Sequence, residues 1–280
     1  MARPYRSVLY IPAANARAME KAQTLPADAI IFDLEDAVAP GEKPAAREAL
    51  AAALANDYGP RARIVRINGL ATEWGEDDAR FCAGLPVDAV LIPKVDGPAD
   101  LDRVAAIIPD APLWAMMETP LGMLNAAAIA AHPRLEGMVM GTNDLAKELN
   151  SRFRPDRLPM QAGLGLCLLA AKAYGKVIVD GVFNAFKDED GLRTECEQGR
   201  DMGFDGKTLI HPAQLAIANQ AFAPTDAEID LARRQIDAFQ TASAEGKGVA
   251  VVDGKIVENL HVETARKTLD RAKAIAAMAG

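Results

Sequence analysis

Three properties of the sequence predict an α/β protein built as a closed barrel of eight parallel strands, each followed by a helix, with a smaller extension behind it. Eight short apolar or β-branched runs recur within the first 210 residues, alanine-rich stretches of helical periodicity alternate with them, and 280 residues, half of them hydrophobic, suit one large core. Such alternation requires parallel strands joined by right-handed crossovers. Closure into a (β/α)8 barrel is the economical solution for eight units, and an open doubly wound sheet is the alternative.

The strands are expected at residues 7–11, 29–34, 64–68, 89–93, 113–118, 137–141, 176–181 and 205–210, and helical stretches between them include 44–55, 99–108, 120–131, 160–174 and 212–222. Thr119 can cap a helix with Pro120 in its first position, and His211-Pro212 repeats that chemistry after the last strand. Residues 1–222 complete the barrel domain, so residues 223–280 must form something else. They read as an amphipathic helix over 226–240, a hairpin over 249–257 turned at Asp253-Gly254, and a last helix over 262–278. A hairpin of this length is marginal alone and should pack on another surface. The segment is expected to be a lid over a barrel mouth or an oligomerisation arm.

A formal net charge of -8 and a pI near 5.1 argue against non-specific binding to nucleic acid or an anionic membrane. Cys82, Cys167 and Cys196 form no close metal-type pair and are expected to be reduced. The N-terminus lacks a charged-then-apolar leader and no apolar stretch approaches the ~18 residues of a membrane span, so a cytoplasmic protein is expected. The sequence contains no glycine-rich phosphate loop with lysine, no dinucleotide fingerprint and no Gly-x-Ser-x-Gly elbow. Covalent serine catalysis is therefore disfavoured, and any hydrolysis should use a metal and activated water.

Barrels of this type build their active sites at the C-terminal ends of the strands. Those positions hold Asp33, Glu35 and Asp36 after the second strand, Arg66 on the third, Lys94 after the fourth, Glu118 after the fifth, Asp144 after the sixth, Asp180 and His211. Neighbouring strands lie roughly 4.8 Å apart, so Glu118 and Asp144 can meet on one divalent cation. Two oxygen ligands suit Mg²⁺, with Mn²⁺ as a substitute, because Mg²⁺ keeps several waters and leaves room for substrate. In the structural alternative, Asp144 caps a helix beginning near Leu145 and Glu118 pairs with Arg66 or Lys94. Arg66 inside a strand needs an anion, either a substrate carboxylate or a partner such as Glu118 or Asp33. The acids of Asp33-Leu34-Glu35-Asp36 either gather near a cation or form a solvated loop with Asp36 as a helix cap. Asn143 orients substrate or turns its loop, and Gly69, Gly122 and Gly141 admit close backbone approach or serve turn geometry.

Taken together, Arg6-Ser7-Val8-Leu9-Tyr10-Ile11-Pro12, Phe32-Asp33-Leu34-Glu35-Asp36-Ala37-Val38, Arg66-Ile67-Asn68-Gly69, Ile92-Pro93-Lys94-Val95, Met117-Glu118-Thr119, Gly141-Thr142-Asn143-Asp144-Leu145 and Lys207-Thr208-Leu209-Ile210-His211-Pro212 resemble the citrate lyase β-subunit-like (HpcH/HpaI aldolase) family. The resemblance implies a TIM barrel, a homotrimer or homohexamer, Mg²⁺ held by Glu118 and Asp144, and Arg66 on the carboxylate or carbonyl end of a substrate that Asn143 and Asp144 also touch. It further implies that Glu35 and Asp36 reach the metal through water, that the C-terminal segment closes over an adjoining subunit's site, and that coenzyme A lies along the barrel mouth. Arg17, Lys21, Lys43 and Arg47 are candidate phosphate partners, each of which could equally be a surface helix charge.

Within the family the chain is most similar to the branch that hydrolyses (3S)-malyl-CoA to (S)-malate and coenzyme A, a thioesterase activity on a carbon–carbon lyase scaffold. Lyases of the family carry an aspartate just after the hairpin, where this chain has Glu258. One methylene displaces a carboxylate by about 1 Å, and misplacement on that scale can cost ~10²-fold in proton transfer. The resemblance thus implies impaired carbon–carbon cleavage, with Glu258 as the base that activates or orients water. Rival readings are a malyl-CoA or β-methylmalyl-CoA lyase giving glyoxylate and acyl-CoA, a metal-dependent pyruvate aldolase, and a citrate-lyase-like subunit of a multiprotein complex.

Overall fold

The computed structural model describes residues 3–279. Eight strands, β1 (Ser7–Pro12), β2 (Ala29–Asp33), β3 (Ala62–Arg66), β4 (Ala89–Ile92), β5 (Leu113–Met117), β6 (Leu135–Met140), β7 (Val177–Asp180) and β8 (Gly206–Leu209), pair in parallel in chain order and close on themselves. Closure is made by β1 against β8, where Ser7 faces Lys207 and Leu9 faces Leu209. The doubly wound alternative is therefore excluded.

Each strand alternates between two cores, because successive side chains leave a strand on opposite faces. Val8, Ala29, Ile31, Ala62, Ile64, Leu91, Trp114, Met116, Val139 and Val179 fill the barrel interior. Their neighbours Leu9, Ile30, Phe32, Val65, Val90, Ala115, Met138 and Ile178 pack outward against the helices. Both faces are buried, which is why these strands read as continuous apolar runs. Trp114 fills the space left open by Gly137 on the adjacent strand, since a Cβ there would collide with the indole ring.

The helices depart from the sequence reading in identifiable ways. The stretch expected as one helix over 120–131 is two, Pro120–Leu124 and Ala126–Ala130. The break falls at Asn125, whose side chain donates to the Asp96 carbonyl at 2.7 Å. The Glu189–Met202 helix, implied by the alternation, has no stretch of its own in the periodicity because its buried stripe is only Leu192, Cys196 and Gly199 in a polar stretch. Its ends carry the missing signals: Asp188 accepts from the Gly191 N–H, and Gly203 stops the helix at φ +108°.

Tyr5–Phe222 forms one compact unit, and the chain from Ala223 onward forms a second. The second unit consists of the Asp226–Ala244 helix, a hairpin of β9 (Ala250–Val252) and β10 (Lys255–Val257), and the Asn259–Ala279 helix. Asp253 and Gly254 take φ +49° and +74°, the left-handed pair that a two-residue hairpin turn demands. Ala242, Ala250, Val252, Val257 and Val262 form its small core.

Candidate active site

The same alternation that builds the interior carries six residues to its C-terminal rim. Continuing the inward series of β1, β2, β3, β5 and β6 gives Tyr10, Asp33, Arg66, Met116, Glu118 and Gly141. Asp33 and Arg66 are register partners on adjacent strands. Arg66 Nε and Nη2 donate to the two Asp33 oxygens at 2.7 and 2.6 Å, a bidentate pair that fixes the guanidinium plane. Arg66 Nη1 meets Glu35 at 2.9 Å and stands 3.7 Å from Asp36, and the guanidinium lies over the Tyr10 ring, 5.0 Å from its centroid. Asp33 also accepts the N–H groups of Glu35 and Ala37, so one carboxylate shapes the loop and aims the arginine.

On the far wall, Glu118 is buried and accepts the Lys94 backbone N–H at 2.8 Å. Lys94 adopts φ +49° in making that bond, an uncommon conformation for a side-chain-bearing residue and one that recurs at functional sites. A side chain at Gly141 would strike Glu118, so the glycine is what lets that carboxylate lie across the end of β6. Asp144 occupies the first turn of the Thr142–Glu148 helix, whose cap is Gly141. Its alternative role as a helix cap does not apply: the helix starts at Thr142 with Gly141 as its cap, and no hydrogen bond or ion pair engages Asp144 among the described contacts.

Arg66, Glu118 and Asp144 line one cavity of about 290 Å³ together with Tyr10, Asp33, Asp36, Met116 and Asn143. Its charge is lopsided: Asp33, Asp36, Glu118 and Asp144 line it against one arginine, Arg66, and Glu35 and Lys94 stand beside it. Burial, countered by the Lys94 N–H and Arg66 and reinforced by Asp144, pushes Glu118 up to about 7. Burial likewise raises Glu35 to about 7, with Arg66 opposing and Asp36 assisting. Lys94 is raised as well, because Asp144, Glu35 and Glu118 outweigh its burial. Excess buried carboxylate of this kind fits a cation. Among the described residues no group of three or more His, Cys, Asp and Glu side chains could hold a metal ion. A divalent ion would therefore rest on two carboxylates and complete its shell with water and substrate oxygens, the habit of Mg²⁺ rather than Zn²⁺.

Two of the phosphate candidates are corrected by their surroundings. Lys43 is buried and donates to Leu34 O, Glu35 O and Asn68 Oδ1 at 2.7–2.9 Å, which uses all three ammonium protons. Arg47 is tied to Asp78 at 2.8 Å and lies 3.7 Å from Asp77. Lys43 thus braces the loop that follows β2, and Arg47 ties the Lys43–Leu54 helix to the Gly75–Ala83 helix. Arg17 and Lys21 are exposed on the Ala16–Ala22 helix that follows β1. Asn143 exchanges amide hydrogen bonds with Asn184 at 2.8 and 3.3 Å. Glu258 is exposed in the second unit, just after β10, and its N–H donates to His261 Nδ1.

Sequence reasoning missed one residue of the site and misplaced another. Tyr10 was indistinguishable from core in an apolar strand. Asp180 ends β7 but faces outward, where Arg157 Nη1 reaches both its oxygens at 2.7 Å and Lys207 approaches at 3.2 Å. Buried lysine and arginine hold this carboxylate ionised against its burial, below the usual range, in a brace between barrel and helices. Strand parity was the available signal.

A (β/α)8 barrel with an arginine and paired carboxylates at its C-terminal rim places its charged groups where barrel enzymes build their active sites. Residues 6–212 match the HpcH/HpaI aldolase/citrate lyase family, and residues 165–276 match the C-C bond lyases of the TIM-barrel fold. The chain belongs to the HpcH/HpaI aldolase/citrate lyase family. It is 71% identical to a (3S)-malyl-CoA thioesterase of Cereibacter sphaeroides over 277 residues, 99% of this chain and 97% of that protein. Citrate lyase subunit beta of Escherichia coli K12 is 35% identical, across 97% of this chain and 94% of its own. A crystal structure of CitE from Mycobacterium tuberculosis in complex with magnesium, acetoacetate and coenzyme A superposes with a TM-score of 0.81 at 31% identity, covering 97% of this chain and 98% of that one.

Proposed function

We propose that this protein is an acyl-CoA thioester hydrolase that converts (3S)-malyl-CoA and water to (S)-malate and coenzyme A. One observation carries the reading: the likeness to malyl-CoA thioesterases runs through nearly the whole chain at 71% identity. The cavity suits the substrate, since a hydroxy-acid offers the carboxylate and hydroxyl oxygens that an arginine and a doubly carboxylate-bound cation attract. Mg²⁺, held by Glu118 and Asp144, would supply Lewis-acid charge for those oxygens, and a CitE relative was crystallised with magnesium.

The protein's own groups do the positioning. Of five guanidinium N–H donors, three are engaged by Asp33 and Glu35, which leaves two on Arg66 to grip the substrate carboxylate. Glu35 and Asp36 sit where they orient water around the cation, and Asn143 steadies the thioester end. Glu258, supplied within a homotrimer or homohexamer, is the base: it takes a proton from the attacking water as the carbon–oxygen bond forms. The carbon–sulfur bond then breaks, and the thiolate leaves and is protonated as coenzyme A. Arg17 and Lys21 contact the coenzyme A phosphates. The protein acts in the cytoplasm. A carbon–carbon lyase is the second reading, favoured by the 35% likeness to citrate lyase beta subunits.

Glu258→Gln tests the base. It should lower kcat for thiol release from (3S)-malyl-CoA by roughly 10²-fold, within the range of general-base contributions. An unchanged kcat would assign the proton to another group.

A further inference from the structure

We infer that Tyr10 is a substrate contact, its phenol donating a hydrogen bond to an oxygen of the hydroxy-acid end of the thioester. The inference rests on the malyl-CoA reading above and adds a residue that sets its specificity. Tyr10 lines the same 290 Å³ cavity as Arg66, Glu118 and Asp144. Its ring is fixed from above by the Arg66 guanidinium, 5.0 Å away. From β1 the side chain crosses the barrel to β5, where its hydroxyl meets the Met116 thioether at 3.3 Å. A thioether is a weak acceptor, and a buried phenol usually finds a stronger one. Among the described contacts the hydroxyl bonds none of the nearby carboxylates Asp33, Glu35 and Glu118, which Arg66 and the Lys94 N–H engage.

Among the described contacts, a proton donor thus lines the cavity with only a thioether as its acceptor. Burial, only partly offset by Arg66, raises the phenol above its usual range, so it stays protonated and able to donate. Its position matters as much as its state. The ring lies against the Arg66 guanidinium and the hydroxyl ends at Met116, two residues before Glu118 along the chain, so an acid held by Arg66 and Glu118 presents an oxygen to it. Nothing comparable is offered to a thioester lacking that end, and a site built to bond an oxygen discriminates strongly against ligands without it.

Two variants separate the hydroxyl from the ring. Tyr10→Phe keeps the surface beneath Arg66 and removes only the donor, whereas Tyr10→Leu removes both. With saturating Mg²⁺, Tyr10→Phe should raise KM for (3S)-malyl-CoA and Ki for the product (S)-malate in parallel, by about 10- to 100-fold, as expected for a hydrogen bond to a charged group. Its Tm and its affinity for Mg²⁺ should stay at wild-type values. Tyr10→Leu should lose more, because Arg66 is then loosened too. Unchanged KM and Ki in Tyr10→Phe, with Tyr10→Leu impaired, would show that the ring is only a shelf for Arg66 and overturn the inference. A wild-type enzyme that released no thiol from (3S)-malyl-CoA would instead remove the underlying reading, and this inference with it.

Discussion

Arg66 illustrates how one buried charge is made serviceable. An unpaired guanidinium inside a barrel would be prohibitively desolvated, and Asp33 resolves this by bonding one edge while leaving outer donors for a ligand. Asp33→Asn retains the shape but loses the charge-assisted pairing. It should destabilise the protein by about 1–3 kcal/mol in urea unfolding, the penalty for degrading a buried charged hydrogen bond, and lower kcat/KM at least tenfold. A variant with wild-type kinetics would show that Arg66 needs no such aiming. Glu118 and Glu35 carry the pH dependence. Both are raised to about 7 from an unfolded value of about 4.3. In the metal-free protein the stability they contribute is fully present below about 4.3 and is lost as pH rises through about 7, since the folded site holds its protons more tightly. A divalent cation competes with those protons, so Mg²⁺ affinity should strengthen between pH 6 and 8. Calorimetric titration at the two pH values checks this, and equal affinities would contradict it.

At the scale of elements, the site depends on β5 and β6 lying close enough for Glu118 to cross the end of β6. Gly141→Ala places a methyl group where the Glu118 side chain now runs. It should weaken Mg²⁺ binding by roughly 10- to 100-fold through displacement of the carboxylate by about 1 Å, with a smaller effect on Tm. Undiminished metal affinity would mean that Glu118 is not a ligand. The strands were legible in sequence because both faces are apolar and short, and the rim acids Glu118 and Asp144 were legible as the polar residues that end such runs. Other parts were hidden for physical reasons. A lysine such as Lys43 at a helix start reads as solvated until tertiary packing supplies three oxygen acceptors. The Glu189–Met202 helix lacks a wide apolar stripe, and Asp180 looks like a rim acid until strand parity turns it outward.

For the whole molecule, the proposed function assigns the grip on the acid to the barrel and the base, Glu258, to the C-terminal unit. On the proposed reading, Glu258, longer by one methylene than the aspartate that the resemblance implies for the lyases, is the residue at which hydrolysis and carbon–carbon cleavage would part. Product analysis addresses that division most directly. Purified protein given Mg²⁺ and (3S)-malyl-CoA should yield malate and free coenzyme A in equal amounts with little glyoxylate. Glyoxylate and acetyl-CoA formed in equal amounts, with little free thiol, would contradict hydrolysis and make the protein a lyase.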